Sequence, residues 1–120
     1  MSTRAANAAR DDQLDAVFFA LGDTTRRHIL ARLARGSASI SELAEPFAMT
    51  LPAVSKHVRV LERAGLVRRE RDGWYHRCHL ETKPIEGALA FLARYRPFWE
   101  DTLDALAQHV EAPEKKRSRR

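Results

Sequence analysis

A chain of 120 residues is long enough for one domain with one modest core, and 44% hydrophobic content excludes global disorder. The net charge of +5 and a pI of about 10.0 point to an anionic partner such as nucleic acid, although part of that excess sits in the last six residues, Lys115 to Arg120. A lone cysteine, Cys78, excludes an internal disulfide, and no apolar run approaches the ~18 residues a membrane helix needs, so a cytoplasmic, nucleoid-associated protein without membrane contact is expected.

Residues 1–10 are polar and alanine-rich with no evident core partner, and are expected to be a disordered tail. A first helix is expected from Asp11 or Asp12, with Leu14, Val17, Phe18 and Leu21 as its apolar stripe and Gly22 as its stop. Asp23 then caps a second helix, Thr24 to about Ala34, that turns Ile29, Leu30 and Leu33 inward and leaves Arg26, Arg27 and Arg32 on the solvated side. Ser39 or Ser41 caps a third, short helix from Ile40 to Phe47; Ser39 with Glu42 has the capping-box spacing.

The fourth helix runs from the Thr50 cap to Gly65, with Pro52 tolerated in the first turn and Val54, Val58 and Leu61 forming the apolar stripe. Its outer face carries Ser55, Lys56, Arg59, Glu62 and Arg63. Hydroxyl and cationic donors of this kind suit phosphates and base edges. Two short helices joined by a tight turn, the second basic outside, make a helix-turn-helix. After Gly65 the period changes to that of a hairpin. Leu66 to Arg71 and Trp74 to Leu80 are its strands, and Asp72-Gly73 is the two-residue turn. Arginines 68, 69, 71 and 77 flank that turn, as in a wing that lays positive charge against phosphates or into a minor groove.

From Pro84 a last helix is expected, with Ile85, Ala88, Leu89, Leu92, Tyr95, Trp99, Leu103, Leu106 and Val110 on one beat and a kink or restart at Pro97. Its large apolar residues exceed what so small a domain can cover, which predicts a two-fold partner. The interface residues expected are Leu14, Val17 and Phe18 from the first helix and Leu92, Tyr95, Trp99, Leu103 and Leu106 from the last. The fold class is therefore mainly α with a small β-hairpin: about five helices and a two-stranded wing over residues 11–111, as a homodimer. Residues 112–120 follow as a basic disordered tail.

This order of elements resembles the ArsR-type winged helix-turn-helix repressors of bacteria. The residues that carry the resemblance are Phe19-Ala-Leu-Gly-Asp-Thr-Thr-Arg-Arg27, Ile40-Ser-Glu-Leu-Ala44, Leu51-Pro-Ala-Val-Ser-Lys-His-Val-Arg-Val-Leu-Glu-Arg-Ala-Gly-Leu-Val67 and Arg94-Tyr-Arg-Pro-Phe-Trp-Glu100. It covers residues 12 to 111. One departure is Thr24, where the family usually has proline. The resemblance implies a homodimeric (auto)repressor on double-stranded DNA, at an inverted-repeat operator. It places Thr50, Leu51, Pro52, Ser55, Lys56 and Arg59 at the major groove, with Arg69, Arg71 and Gly73 on the wing. His57 lies toward the apolar stripe, where it either packs or contacts a phosphate or base.

Family members that sense metals use a cysteine box on the third helix, but Ser41 to Phe47 offers neither Cys nor His. A second family site uses the last helix, where Asp101, Asp104, His109 and Glu111 supply only one histidine. No metal or other cofactor is therefore expected, and the inducer is left unknown. Two other readings stay open: a metal- or thiol-responsive sensor built on His76, Cys78 and His79, and a protein-interaction module using the last helix. No nucleophile–base pair, phosphate loop or close carboxylate pair suggests an enzyme.

Overall fold

The computed structural model describes the backbone of residues 2–118 and the side chains of residues 3–109. In chain order the elements are α1 (Ser2–Leu21), α2 (Thr24–Leu33), β1 (Ala38–Ser39), α3 (Ile40–Ala44), α4 (Leu51–Arg63), β2 (Val67–Asp72), β3 (Tyr75–Leu80), α5 (Lys83–Ala93) and α6 (Arg96–Ser118). They fall into two compact units, Met1–Ala88 and Leu89–Arg120.

In the first unit, α1, α2 and α4 pack on one another, α3 packs on α4, and the sheet closes one side. The core is made by Val17, Ile29, Leu33, Val54, Val58 and Leu61, whose spacing marked them as inward-facing, together with Leu43, Leu66 and Cys78. Val17 is fully buried there. It cannot also form a face for a second copy, so it leaves the expected interface set. Leu14 packs against the same core.

Local chemistry sets the helix ends. Ser39 and Glu42 form the expected capping box: the Ser39 hydroxyl accepts from the Glu42 N–H at 3.2 Å, and Glu42 Oε1 accepts from the Ser39 N–H at 3.1 Å. That helix stops at Ala44 rather than Phe47, because Pro46 cannot continue it. The Thr50 hydroxyl accepts from the Ala53 N–H at 3.2 Å and opens α4. At the other end, Leu66 N–H bonds to Leu61 O and Gly65 N–H to Glu62 O, both at 2.9 Å. This is a Schellman closure with Gly65 at φ +77°.

Several expectations are corrected. The first helix begins at Ser2, not Asp11, and residues 3–13 of it are exposed: alanines and arginines with high helix propensity extend it without a core. Among the described residues there are six helices, where about five were expected. The sheet has three strands in the order β1-β3-β2, all antiparallel, because Ala38 and Ser39 pair with Cys78 and Arg77. The wing's turn is shifted by one residue. Asp72 pairs with Tyr75, so the two loop residues are Gly73 and Trp74. Gly73 alone takes positive φ, +61°, as a turn with glycine first requires; an Asp72-Gly73 turn would have forced Asp72 there as well.

In the second unit the predicted restart occurs. α5 ends at Ala93 and α6 begins at Arg96, so Pro97 occupies the first turn, where its missing N–H breaks no hydrogen bond. Trp99 Nε1–H reaches back to the Leu92 carbonyl at 3.0 Å, which also accepts the Tyr95 N–H at 3.0 Å. Phe91 and Tyr95 pack as tilted rings 5.4 Å apart. The expected disordered arm over 112–120 is helical in its backbone through Ser118; its side chains, and Arg119 and Arg120, lie outside the described residues.

Candidate nucleic-acid interface

The site starts at the corner between α1 and α2. Asp23 Oδ2 accepts the Arg26 N–H at 3.0 Å and caps α2. Carbonyls at the end of α1 accept from two arginines. Arg26 Nη2 donates to Phe19 O at 2.8 Å and Nε to Ala20 O at 2.9 Å, while Arg27 Nη1 donates to Leu21 O at 2.8 Å. The expectation that Arg26 lies on the solvated side is therefore wrong: it is 9% exposed, with its guanidinium 5.0 Å over the Phe19 ring. Gly22 is needed at this corner for space, since a Cβ would stand 3.2 Å from the Phe18 carbonyl oxygen. Arg32 is tied as well, to Gly36 O at 3.0 Å.

This corner buttresses α4. Arg26 Nη1 lies 3.3 Å from His57 Nδ1, and Asp23 Oδ2 lies 3.8 Å from the same nitrogen. The N–H of Arg26 holds the Asp23 carboxyl below its usual range, with the Arg26 guanidinium adding to the effect. With Val54, Val58 and Leu61 buried, the opposite side of α4 carries Pro52, Lys56, Arg59 and Arg63, all exposed. Thr50 and Leu51 are exposed at the entry to the helix, and Ser55 is half-buried on its flank. Among the described residues, Lys56, Arg59 and Arg63 have no ionic or hydrogen-bonding partner, so three cations lie along one face at helical spacing. Arg63 stands on the outer face as expected, and joins Lys56 and Arg59 although the expected DNA-contact set did not include it. Its spacing of i+4 from Arg59 was the available signal.

A shallow depression of about 370 Å³ runs along this flank, lined by Arg26, Ala53, Lys56, His57, Arg59, Val60 and Arg63. On the wing, Arg71 and Gly73 are exposed and Arg71 has no partner among the described residues. Arg69 is different: Nη2 donates to Glu62 Oε1 at 2.8 Å, which ties the wing to α4 and withdraws that arginine from the predicted phosphate-contacting set. Arg68 is likewise held by Glu81 at 2.8 Å, and Arg77 by Ser37 and Glu42.

The residues of the sensor alternative are not gathered. Cys78 is fully buried between Ala38 and Arg69 in the sheet register, and burial pushes its thiol up, against a smaller downward pull from Arg69. A thiol so placed is protonated at neutral pH and unsuited to nucleophilic or metal-binding use. His79 projects toward Glu70, at 2.9 Å but out of line for a hydrogen bond. Among the described residues no group of three or more His, Cys, Asp or Glu is placed to hold a metal ion, and no helix is long and apolar enough to cross a membrane.

A helix-turn-helix domain family matches residues 21–70, the stretch from the α1–α2 corner to mid-wing. HTH-type transcriptional regulator Rv2034 of Mycobacterium tuberculosis is 35% identical over 98 residues, covering 82% of this chain and 89% of the relative. The crystal structure of the ArsR family transcriptional regulator RHA00566 is 43% identical, with a TM-score of 0.69 over 75% of this chain and 93% of that one. The chain belongs to the ArsR family. It is thus an ArsR-type transcriptional regulator with a winged helix-turn-helix DNA-binding domain. The solution structure of the homodimeric winged helix-turn-helix DNA-binding domain of Mb0332 from Mycobacterium bovis, named as a possible ArsR-family transcriptional regulator, is also similar: it is 27% identical, with a TM-score of 0.61 over 78% of this chain and 89% of that one. In this ArsR-type chain, α3 carries no cysteine or histidine, so the thiolate ligands of a metal box are missing from that helix.

Proposed function

We propose that this regulator is a homodimeric repressor that binds an inverted-repeat operator, with α4 of each copy in a major groove and the wing along the neighbouring backbone. The observation that carries the reading is the exposed face of α4. Lys56, Arg59 and Arg63 lie there unpaired among the described residues, while the arginines around them are committed to carbonyls and carboxylates of the chain itself. Unpaired cations on one face lose little by meeting phosphates and gain the release of condensed counterions. In this reading Thr50, Leu51, Pro52 and Ser55 at the helix's leading end meet base edges, and Arg71 and Gly73 the backbone beside them.

Dimerisation is supported by the second unit, which exposes Leu89, Leu92, Tyr95, Phe98, Leu103 and Leu106. Two copies double the reading helices, so half-sites are expected about one helical turn apart, ~34–36 Å. A dimer seated on a promoter represses by occupying it. No thiolate metal switch is assigned, since the only cysteine is buried in the sheet.

Footprinting on the regulator's own promoter region, with gel shifts against random competitor DNA and sedimentation of the free protein, tests this reading. Protection of an inverted repeat by a dimer is expected. Solitary subunits at working concentrations, or equal displacement of the promoter fragment by random and specific competitor, overturns it.

A further inference from the structure

His57 lines the basic depression, and its chemistry is set by its contact with Arg26. A guanidinium nitrogen can only donate, so the 3.3 Å contact from Arg26 Nη1 makes His57 Nδ1 the acceptor. In the neutral ring the proton must then reside on Nε2. The Arg26 fork cannot turn away to relax this, because Nη2 and Nε are held by the Phe19 and Ala20 carbonyls and the plane lies over the Phe19 ring. Asp23 is too far, at 3.8 Å, to draw a proton onto Nδ1 by a hydrogen bond. Nε2–H has no partner among the described residues, and Lys56, Arg59 and Arg63 share the wall of the same depression.

We propose that this depression seats one phosphate of the DNA backbone, that His57 Nε2–H is its neutral hydrogen-bond donor, and that Arg26 is the positioning residue that fixes the donor's tautomer and direction. This rests on the DNA-binding reading above. A phosphate fits because the depression combines surrounding positive charge with a directed donor, while Ala53 and Val60 give the wall no group to compete for the anion. Register follows from it: a donor locked to the α1–α2 corner fixes where along the duplex α4 sits, before any base edge is read.

Two measurements on the full-length protein test the proposal. In nitrogen-15 spectra of the histidine rings above pH 8, His57 of the free protein is expected in the Nε2–H form, and Arg26→Lys is expected to mix the tautomers. A ring protonated on Nδ1, or an unchanged tautomer in a folded R26K protein, overturns the positioning role. Should R26K fail to fold, the wild-type spectrum and the following cycle decide. Operator duplexes carrying one neutral methylphosphonate at a time are titrated with wild type, His57→Ala and His57→Gln. One phosphate position is expected at which neutralisation costs wild type roughly ten- to a hundredfold more than it costs H57A, the weight of a hydrogen bond to a charged group, while the surrounding cations give both proteins a common smaller loss. H57Q, whose amide N–H reaches near the Nε2 position, is expected to recover most of the loss. Equal losses for wild type and H57A at every position overturn the phosphate seat. Failure of wild type to prefer its promoter fragment overturns instead the DNA reading beneath it. Inorganic phosphate serves as the control: a His57 spectrum that saturates with it at low millimolar concentration makes the depression a small-anion site and overturns the DNA-backbone assignment.

Discussion

Replacing Gly65 with alanine separates two costs that the structure makes distinct. Gly65 holds φ +77° at the end of α4, where its geometry sets the angle between the reading helix and β2. An L-residue held in the left-handed region costs about 1–2 kcal/mol, and alanine's stiffer unfolded chain returns about 0.4–1 kcal/mol. The new methyl group would also stand 3.1 Å from Pro84 Cγ and 3.3 Å from Gln13 Nε2. Gln13 can swing aside at the expense of its 3.3 Å bond to the Ala64 carbonyl; the proline ring, fixed in the first turn of α5, cannot. Crowding of this kind adds about 1 kcal/mol, the low end of overpacking. The sum is a loss of about 2 kcal/mol, which lowers a urea midpoint by about 1 M for the m-values of small domains. Gly73→Ala is the comparison: φ is +61° but a Cβ there meets nothing within 4 Å, so only the backbone cost remains, confined to the hairpin. Both are measured at one protomer concentration, because dimer stability depends on it. A Gly65→Ala protein within about 0.5 kcal/mol of wild type, or a Gly73→Ala protein that loses more, refutes the reasoning.

Four further outcomes are expected. Lys56→Ala, Arg59→Ala and Arg63→Ala should each weaken operator binding in gel shifts while sedimentation still finds the dimer; unchanged shifts for all three would remove α4 from the interface. Arg71→Ala should reduce the slope of log affinity against log salt by about one unit, whereas Arg69→Ala, which breaks the bond to Glu62, should lower the melting temperature and leave the slope nearly alone. Acid should destabilise the protein through Asp23 and Glu42, each held low chiefly by the N–H that it accepts, from Arg26 and Ser39 respectively. A folded carboxyl that titrates below its unfolded value stabilises above that value and loses the contribution as pH falls through the folded one, so the decline begins near pH ~4–5, and Asp23→Asn, which keeps the cap, should flatten it in melts across pH. Leu106→Lys, at a position exposed in the single chain, should yield folded monomers on sedimentation if α6 forms the interface, and an unaltered dimer would place the interface elsewhere.

The parts of this fold written in local chemistry were readable directly. The Ser39–Glu42 box, the Thr50 cap, the Val54–Val58–Leu61 stripe and the Gly65 stop each depend on residues within one or two turns, and each stands where its spacing placed it. The misreadings involve choices that local pattern leaves degenerate. Asp72-Gly73 and Gly73-Trp74 are both acceptable two-residue turns, and pairing of Asp72 with Tyr75 selects the second. Ala38 and Ser39 are too few to show a strand period; only Cys78 and Arg77, forty residues away or nearly so, make them one. The apolar beat of the first helix marked Val17 correctly as inward-facing but did not say toward which protein, and the chain's own core takes it.

Arg26 shows why composition could not have located the candidate site. Net charge counts it equally with Arg59, yet it is buried against the carbonyls of α1, and its loss would expose buried acceptors and free the ring of His57. Arg27 at the Leu21 carbonyl, Arg68 at Glu81, Arg69 at Glu62 and Arg77 at Ser37 are less buried but are likewise engaged by the chain itself. Arg26, Arg27, Arg68 and Arg77 each bond through more than one nitrogen of the planar guanidinium, so lysine at any of these four would keep the charge and lose the geometry. Arg63 has no such demand upon it, since it reaches solvent without a partner among the described residues, and there lysine should serve nearly as well if its task is to meet a phosphate. The contrast between Arg→Lys at position 26 and Arg→Lys at position 63 therefore measures, at constant net charge, whether an arginine of this domain belongs to the fold or to the face it offers to DNA.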